Sequence, residues 1–186
     1  MPNLYIIAGP NGAGKTTAAY NLLPDVFKTS EFVNADEIAR GISPFNPEGV
    51  ALQAGRIMLQ RLEYLISEKK SLAFETTLSG LSYLKFLRQA KMLGYEITLF
   101  FVWLNSFELA IERVASRVNK GGHNIPKDVI ERRYAKGINN FNRYAPEADS
   151  WYIYDNSGPE YLLIAKSLDK NIEILNFDIY HKISGL

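Results

Sequence analysis

A glycine-rich loop constrains the fold of this chain more than any other feature. Residues 9–16 read Gly-Pro-Asn-Gly-Ala-Gly-Lys-Thr, which matches the phosphate-binding pattern of one glycine, any four residues, and then glycine, lysine and threonine. An apolar, strand-like segment, residues 4–8, precedes the loop, and a segment of helical character follows it. An accidental match to the fixed positions is expected in on the order of one chain in a hundred. The loop in this context therefore predicts an α/β fold that binds a nucleotide.

Each residue type in the loop has a chemical reason. Glycines let the backbone turn tightly and bring its N–H groups close to the phosphates. Lys15 is placed to reach the β- and γ-phosphates, and the Thr16 hydroxyl is placed to ligate Mg²⁺. We therefore expect ATP and Mg²⁺ as ligands. The loop residues predicted to contact the nucleotide are Gly9, Asn11, Gly12, Ala13, Gly14, Lys15, Thr16 and Thr17.

The sequence around the loop alternates between strand-like and helix-like segments. Four further segments are rich in aliphatic and aromatic residues, as buried strands are: residues 31–35, 72–74, 97–104 and 151–154. Between them, apolar residues recur on one helical face in residues 51–65 and 83–93. Pro47 is expected to start the first of these helices, and Gly94 to stop the second. This alternation predicts a P-loop NTPase fold, with a mainly parallel sheet of five or six strands and helices on both faces.

Residues 106–144 have a different pattern, with two helices and no strand between them. Their connection contains Gly121 and Gly122, which favour a hinge, so we predict a helical lid over about residues 106–144. His123 in the same connection is either a phosphate contact or a hydrogen-bonding support.

The composition favours one globular domain that is not bound to a membrane. Apolar residues make up 47% and charged residues 22% of the 186 residues, so we expect a single domain, residues 1–186. Its C-terminal part is predicted to contain a further helix at 160–168 and a strand at 172–175. The net charge of +1 gives no overall attraction to nucleic acid or to an anionic membrane. No segment approaches the roughly 20 apolar residues that span a bilayer, and the absence of cysteine excludes disulfides. We expect a cytoplasmic protein.

Two carboxylates follow strand-like segments and are candidates for the chemistry. Asp36 comes after residues 31–35, and Glu75 comes after residues 72–74. The carboxyl ends of parallel strands share the edge of the sheet where ligands bind. We expect Asp36 to accept the proton of an attacking hydroxyl, and Glu75 to orient the acceptor or to hold Mg²⁺ through water. The alternative for Asp36 is a helix N-cap or a first-turn acid.

Basic side chains of the lid are candidates for stabilising the transferred phosphoryl group. Phosphoryl transfer spreads negative charge over that group, so guanidinium donors are expected beside it. The alternative is that these arginines lie on a solvated helix face. The candidates are Arg113 and Arg117 on the first helix and Arg132 and Arg133 on the second. Asn156 follows the last main strand, where loop backbone is placed to border an adenine base; the alternative is a plain turn.

Four segments of the chain follow, in order, the motifs of a known family. They are residues 8–17 (AGPNGAGKTT), 32–47 (FVNADEIARGISPFNP), 74–80 (FETTLSG) and 112–134 (ERVASRVNKGGHNIPKDVIERRY). In these segments the chain resembles the zeta-toxin-like branch of P-loop kinases. The resemblance implies a kinase that depends on Mg²⁺ and ATP and transfers the γ-phosphoryl group to a hydroxyl of a small molecule.

The resemblance also implies roles for single residues. Asp36 matches the base, and Glu75 matches the acidic residue that holds a sugar-nucleotide substrate, with Thr77 as its neighbour. The lid arginines that clamp the phosphates match Arg117 and Arg133, with Arg113 and Arg132 as alternatives.

The acceptor stays open. The toxins that define the family phosphorylate UDP-N-acetylglucosamine, so the implied acceptors include a UDP-N-acetylamino sugar, and an antitoxin protein is an implied partner. Because this chain is shorter than those toxins, the alternatives are a kinase of another metabolite or of an antibiotic, or a regulatory ATP-binding module with little turnover. The choice between ATP and GTP and the oligomeric state also stay open.

Overall fold

The strand that leads into the glycine-rich loop lies in the middle of a parallel sheet. The structure is a computed structural model that describes residues 1–22, 29–122 and 124–185. Strand β1 (Asn3–Ala8) pairs with β3 (Leu72–Thr76) on one side and with β4 (Glu96–Trp103) on the other. Strand β2 (Phe32–Val33) pairs with β3, and β5 (Ser150–Asp155) pairs with β4. All four pairings are parallel, as predicted.

Two antiparallel strands extend the sheet beyond the prediction. Strand β6 (Leu162–Leu168) pairs with β5, and β7 (Asn171–Ile174) pairs with β6. In the described part of the chain the sheet therefore has seven strands, in the order β2-β3-β1-β4-β5-β6-β7, rather than five or six. The helix predicted at residues 160–168 is wrong. A short apolar run fits either element, and here pairing with the outer edge of β5 decides for a strand. The strand predicted at residues 172–175 is confirmed as β7.

Helices connect and cover the strands. They are α1 (Lys15–Leu22), α2 (Ala35–Ile42), α3 (Ala51–Ser67), α4 (Ser82–Met92), α5 (Phe107–Asn119), α6 (Lys127–Tyr144) and α7 (Phe177–Ser184). The helices predicted around residues 51–65 and 83–93 are confirmed as α3 and α4. Pro47 precedes a 3-10 turn that leads into α3, and Gly94, with φ of +83°, follows α4. Within the described residues, no helix combines the length and the apolar character needed to cross a lipid bilayer.

The two faces of the sheet have separate hydrophobic cores. One face carries the larger core, in which side chains of β1, β3, β4 and β5 pack against α3, α4, α6 and α7. Its members include Leu4, Ile6, Phe74, Phe101, Trp151, Met58, Phe86, Phe141 and Tyr180. On the opposite face Ile7 and Ala73 pack against Ala19 of α1. Successive residues of β1 face opposite sides of the sheet, so Ile6 and Ile7 belong to different cores. The prediction of helices on both faces is confirmed.

The two helices predicted for residues 106–144 form as α5 and α6. Ser106 caps α5, because its hydroxyl accepts a hydrogen bond from the Leu109 N–H at 3.1 Å. The two helices share a third hydrophobic cluster that includes Val114 and Ile130. The C-terminal half of α6 also enters the larger core, through Phe141 and Tyr144. His123, in the connection between the helices, lies outside the described residues.

Candidate active site

The glycine-rich loop winds back on itself at the carboxyl end of β1. Gly9, Gly12 and Gly14 have φ values of +138°, +76° and +84°, which favour glycine. A Cβ atom at Gly12 would lie 2.9 Å from the Ala110 carbonyl oxygen, and a Cβ atom at Gly14 would lie 2.6 Å from the Tyr161 hydroxyl. A Cβ atom at Gly9 would overlap the backbone of β4. Any side chain at these positions would therefore displace the loop.

Two side chains hold the loop from the side of β5 and β6. The Asn156 amide donates a hydrogen bond to the Ala13 carbonyl at 2.8 Å, and the Tyr161 hydroxyl donates one to the Gly14 carbonyl at 2.9 Å. Burial raises the pKa of Tyr161, against the opposing effect of the Arg113 charge, so the phenol stays protonated near neutral pH. The sequence pattern predicts a helix at Tyr161 and therefore does not point to this contact. Asn156, which was predicted to border the base, contacts the loop itself through its side chain.

Glu75 connects the loop to the neighbouring strands. Its carboxylate accepts hydrogen bonds from the Thr16 hydroxyl at 2.6 Å and from the Asn34 amide at 2.9 Å, and it lies 3.4 Å from the Lys15 ammonium. Lys15 also donates to the Pro10 carbonyl at 2.9 Å. Side-chain exposure is 5% for Lys15 and 10% for Glu75, so the two buried charges compensate each other. Asn34, which the sequence analysis did not single out, completes this network.

Asp36 lies in the first turn of α2 and faces the loop. The N-cap of α2 is Asn34, whose side-chain oxygen accepts the Asp36 N–H at 2.8 Å. Asn34 is therefore the N-cap, and Asp36 has the alternative place given for it, that of an acid in the first turn. The Asp36 carboxylate also borders the cavities beside the loop.

Two cavities meet at the loop. The P-loop cavity, of about 180 Å³, is lined by Asn11, Gly12, Gly14, Lys15, Thr16, Thr17, Asp36, Glu75, Arg113 and Arg117. The outer cavity, of about 270 Å³, is lined by Asn11, Lys15, Asn34, Ala35, Asp36, Glu75, Thr76, Thr77, Ser79, Gly80, Ser82, Tyr83 and Arg133. Both cavities are bordered by Asn11, Lys15, Asp36 and Glu75. Among the described residues, the buried side-chain oxygen of Asn11 has no hydrogen-bond partner, so a polar ligand at this junction would satisfy it.

The candidate arginines separate between the two cavities. Arg113 and Arg117 border the P-loop cavity, and Arg113 also donates a hydrogen bond to the Ser157 carbonyl at 3.3 Å. Arg133 borders the outer cavity, whereas its neighbour Arg132 is exposed and borders neither of the two. The predicted substrate residue Thr77 also borders the outer cavity, where its hydroxyl lies 2.9 Å from the Ser79 hydroxyl.

Comparison with solved structures supports the assignment of the fold. One chain of a crystal structure of AvrRxo1-ORF1:-ORF2 with ATP superposes with a TM-score of 0.80 and 17% identity, covering 99% of this chain; this chain spans 64% of the length of that one. A structure from the PezAT chromosomal toxin-antitoxin system of Streptococcus pneumoniae superposes with a TM-score of 0.68 and 18% identity, over 98% of this chain and 78% of the other. A gluconokinase from Sinorhizobium meliloti has a TM-score of 0.51 and 15% identity, over 85% and 84% of the two chains.

Comparison of sequences gives the family. A protein of Haemophilus influenzae, described as uncharacterised, is 32% identical over 127 residues, which are 68% of this chain and 88% of that protein. The model of the Zeta toxin family matches residues 1–166, well over half of the chain. With its glycine-rich loop, paired carboxylates and helical hairpin inside the matched range, the chain belongs to the Zeta toxin family.

Proposed function

We propose that this protein is a kinase that transfers the γ-phosphoryl group of ATP to a hydroxyl group of a small molecule. The observation that carries the proposal is the junction of the two cavities. A phosphate-binding cavity and a hydroxyl-lined cavity meet at Lys15 and Asp36, so a donor in one and an acceptor in the other would be adjacent. Holding two reactants at such a junction is the main task of a phosphoryl-transfer enzyme.

The residues of the P-loop cavity fit a nucleoside triphosphate. The loop turns at glycines with positive φ, as phosphate-binding loops do, and Lys15 supplies a positive charge. Arg113 donates a hydrogen bond to the Ser157 carbonyl beside the loop, and in this proposal these residues, together with Asn156, would border the base. The structural neighbour AvrRxo1-ORF1:-ORF2 was crystallised with ATP, which supports the same ligand here.

The donor set beside Lys15 also fits Mg²⁺. The Thr16 hydroxyl and the Glu75 carboxylate lie 2.6 Å apart, and Mg²⁺ at nucleotide sites prefers a few protein oxygens together with phosphate oxygens. When bound, Mg²⁺ would neutralise charge on the phosphates. In this assignment Glu75 holds the metal side of the site, while Thr77 and its neighbours bind the acceptor.

Asp36 is assigned as the base for the acceptor. The hydroxyl oxygen of the acceptor forms a bond to the γ-phosphorus, the bond from that phosphorus to the bridging oxygen breaks, and ADP leaves. The hydroxyl proton passes to the Asp36 carboxylate, which borders both cavities. Arg117 on the donor side and Arg133 on the acceptor side would stabilise the charge of the transferred group.

The outer cavity favours a compact, hydroxylated acceptor. Its volume of about 270 Å³ is at the small end for ligand sites, and the hydroxyl-bearing residues Thr77, Ser79, Ser82 and Tyr83 border it. A UDP-N-acetylamino sugar would extend beyond this cavity, whereas a single sugar unit would fit within it. We therefore place small hydroxylated metabolites first and nucleotide sugars second among the candidates.

The direct test uses ATP labelled in the γ-phosphate. The purified protein is incubated with UDP-N-acetylglucosamine, free N-acetylglucosamine, unmodified hexoses and an aminoglycoside in separate reactions, and labelled products are separated by chromatography. We expect a labelled product with at least one hydroxylated compound. Tight ATP binding without transfer to any compound in a broadened panel would contradict the kinase proposal and favour a regulatory ATP-binding module.

A protein partner is also proposed, on a different basis. PezAT is described as a chromosomal toxin-antitoxin system, and AvrRxo1-ORF1 was crystallised together with ORF2. These neighbours support an antitoxin-like protein as a partner of this chain.

Replacing Arg133 with alanine is expected to lower kcat by about a hundredfold, because removing one donor to a developing charge has effects of that size. ATP affinity should stay within about twofold of the wild-type value, since Arg133 borders the outer cavity and not the P-loop cavity. The measurements are steady-state kinetics and calorimetric titration with ATP. Arg132→Ala, at the exposed neighbouring position, is the matched control and should change neither kcat nor ATP affinity.

Arg117→Ala should also lower kcat more than it lowers ATP affinity. If neither Arg117→Ala nor Arg133→Ala changes kcat, the assignment of these arginines is contradicted.

A further inference from the structure

Helix α6 contacts a loop of the outer cavity through three residues on one helical face. The loop comprises residues 76–80, and we call it the acceptor loop. Gly137, Asn140 and Tyr144 are spaced by three and four positions, so they lie on the same side of α6. Arg133 precedes Gly137 by one helical turn on that side. The helix that carries Arg133 is thus the helix that packs on the acceptor loop.

Each of the three residues contacts a different carbonyl group of the acceptor loop. The Asn140 amide donates a hydrogen bond to the Leu78 carbonyl at 2.7 Å, and the Tyr144 hydroxyl donates one to the Gly80 carbonyl at 2.7 Å. A Cβ atom at Gly137 would overlap the Thr77 carbonyl oxygen, so only glycine permits this approach. Burial raises the pKa of Tyr144 to about 12, and its phenol therefore remains a donor at neutral pH.

The acceptor loop has a conformation that needs such support. Leu78 is fully buried and has φ of +53°, a region that bulky side chains rarely occupy. Its N–H is held by the Thr76 hydroxyl at 3.1 Å, and its carbonyl by Asn140. Strained backbone of this kind persists when surrounding contacts fix it, and it concentrates at functional sites. The residues on either side of Leu78, Thr77 and Ser79, border the outer cavity.

We propose that Gly137 and Asn140 are positioning residues that fix the acceptor loop and Arg133 relative to each other. The hydroxyl groups of the acceptor loop and the guanidinium group of Arg133 then border the outer cavity as one rigid unit. The inference rests on the proposed function, because it gives these two residues a part in holding the acceptor. It requires no contact between either residue and ATP, since the P-loop cavity is bordered by other residues.

The test compares two variants with two matched controls. Asn140→Asp keeps the size of the side chain and removes its donor, whereas Asn139→Asp makes the same change at the exposed adjacent position. Gly137→Ala introduces the overlap with the acceptor loop, whereas Gly55→Ala, in α3, places its Cβ in open space. Hydrogen exchange is measured by mass spectrometry on the full chain without nucleotide. ATP hydrolysis, with water in place of the acceptor, is measured alongside transfer to the compounds of the acceptor panel, namely UDP-N-acetylglucosamine, free N-acetylglucosamine, unmodified hexoses and an aminoglycoside.

We expect Asn140→Asp, through loss of the hydrogen bond to the Leu78 carbonyl, and Gly137→Ala, through overlap with the Thr77 carbonyl, to speed exchange about tenfold in the acceptor loop and in the segment around Arg133 together. Exchange in β1 should be unchanged. The kcat for phosphoryl transfer should fall about tenfold in both variants, at an unchanged KM for ATP. The controls Asn139→Asp and Gly55→Ala should have the exchange rates and the kcat of the wild-type protein.

Three results would overturn the inference: unchanged hydrogen exchange in the acceptor loop, faster exchange throughout the chain, or effects on exchange in the control variants equal to those in Asn140→Asp and Gly137→Ala. If the wild-type protein shows neither hydrolysis nor transfer to any compound of the acceptor panel, the proposed function fails, while the exchange data still decide whether the acceptor loop and α6 are coupled.

Discussion

Replacing Lys15 with methionine is expected to lower ATP affinity by at least about a hundredfold and to abolish phosphoryl transfer. Methionine keeps an unbranched apolar chain and removes the ammonium group, and each hydrogen bond to a charged group contributes roughly 1.5–3 kcal/mol. Lys15 is buried, is the first residue of α1 and borders both cavities. It also compensates the Glu75 charge, so a modest loss of stability should accompany the loss of binding. Calorimetric titration with ATP in the presence of Mg²⁺ measures the first effect.

The matched control is Lys85→Met, at an exposed position of α4. It removes the same charge from the protein and should leave ATP affinity unchanged. A thermal-unfolding measurement on both variants separates loss of binding from loss of folding. Normal ATP affinity in a folded Lys15→Met protein would remove the basis of the nucleotide assignment.

Replacing Asp36 with asparagine is expected to lower kcat by about a hundredfold to ten-thousandfold, the range that general-base catalysis contributes. The affinity for ATP should change little, because the loop contacts described above involve Lys15, Thr16 and Glu75 rather than Asp36. Asparagine is isosteric with aspartate, so the shape of both cavities is kept. Steady-state kinetics with an acceptor from the panel, together with titration by ATP, give the two quantities separately.

Glu37→Gln is the control for Asp36→Asn, since it neutralises the next residue of the same helical turn. Glu37 is exposed and forms an ion pair with Arg40 at 3.3 Å, an interaction of small energetic weight at the surface. Its replacement should leave kcat unchanged. Full activity of Asp36→Asn would show that another group takes the proton, or that the protein is not a kinase.

The sequence predicts the glycine-rich loop well because its conformation is a local matter. Gly9, Gly12 and Gly14 are needed where they occur since each has a positive φ, a property of the backbone at that residue. The alternation of apolar segments likewise predicts the five parallel strands, because aliphatic and aromatic residues are concentrated in them.

The hydrogen-bond and ion-pair partners of Glu75 depend on the order of the strands in the sheet, which a local sequence pattern does not predict. Strand β3 lies directly beside β1, and Glu75 is in register with Ile7, two residues before the start of the loop at Gly9. That pairing brings the carboxylate to Lys15 and Thr16. Which of Arg132 and Arg133 borders the outer cavity also depends on packing. Consecutive residues point about 100° apart on a helix, so only one of the two can face the cavity. Only the packing of α6 on the acceptor loop decides which of the two faces the site.

The hydrogen bond from Tyr161 to the glycine-rich loop shows that the chain beyond the last parallel strand contributes to holding that loop. Tyr161 immediately precedes β6, a strand that adds nothing to the parallel part of the sheet. A polypeptide shortened to residue 157 would retain all eight residues of the phosphate pattern and the amide of Asn156, yet the carbonyl of Gly14 would lose its phenol donor. The smallest fragment able to preserve the geometry of the pattern must therefore extend through the β5–β6 turn.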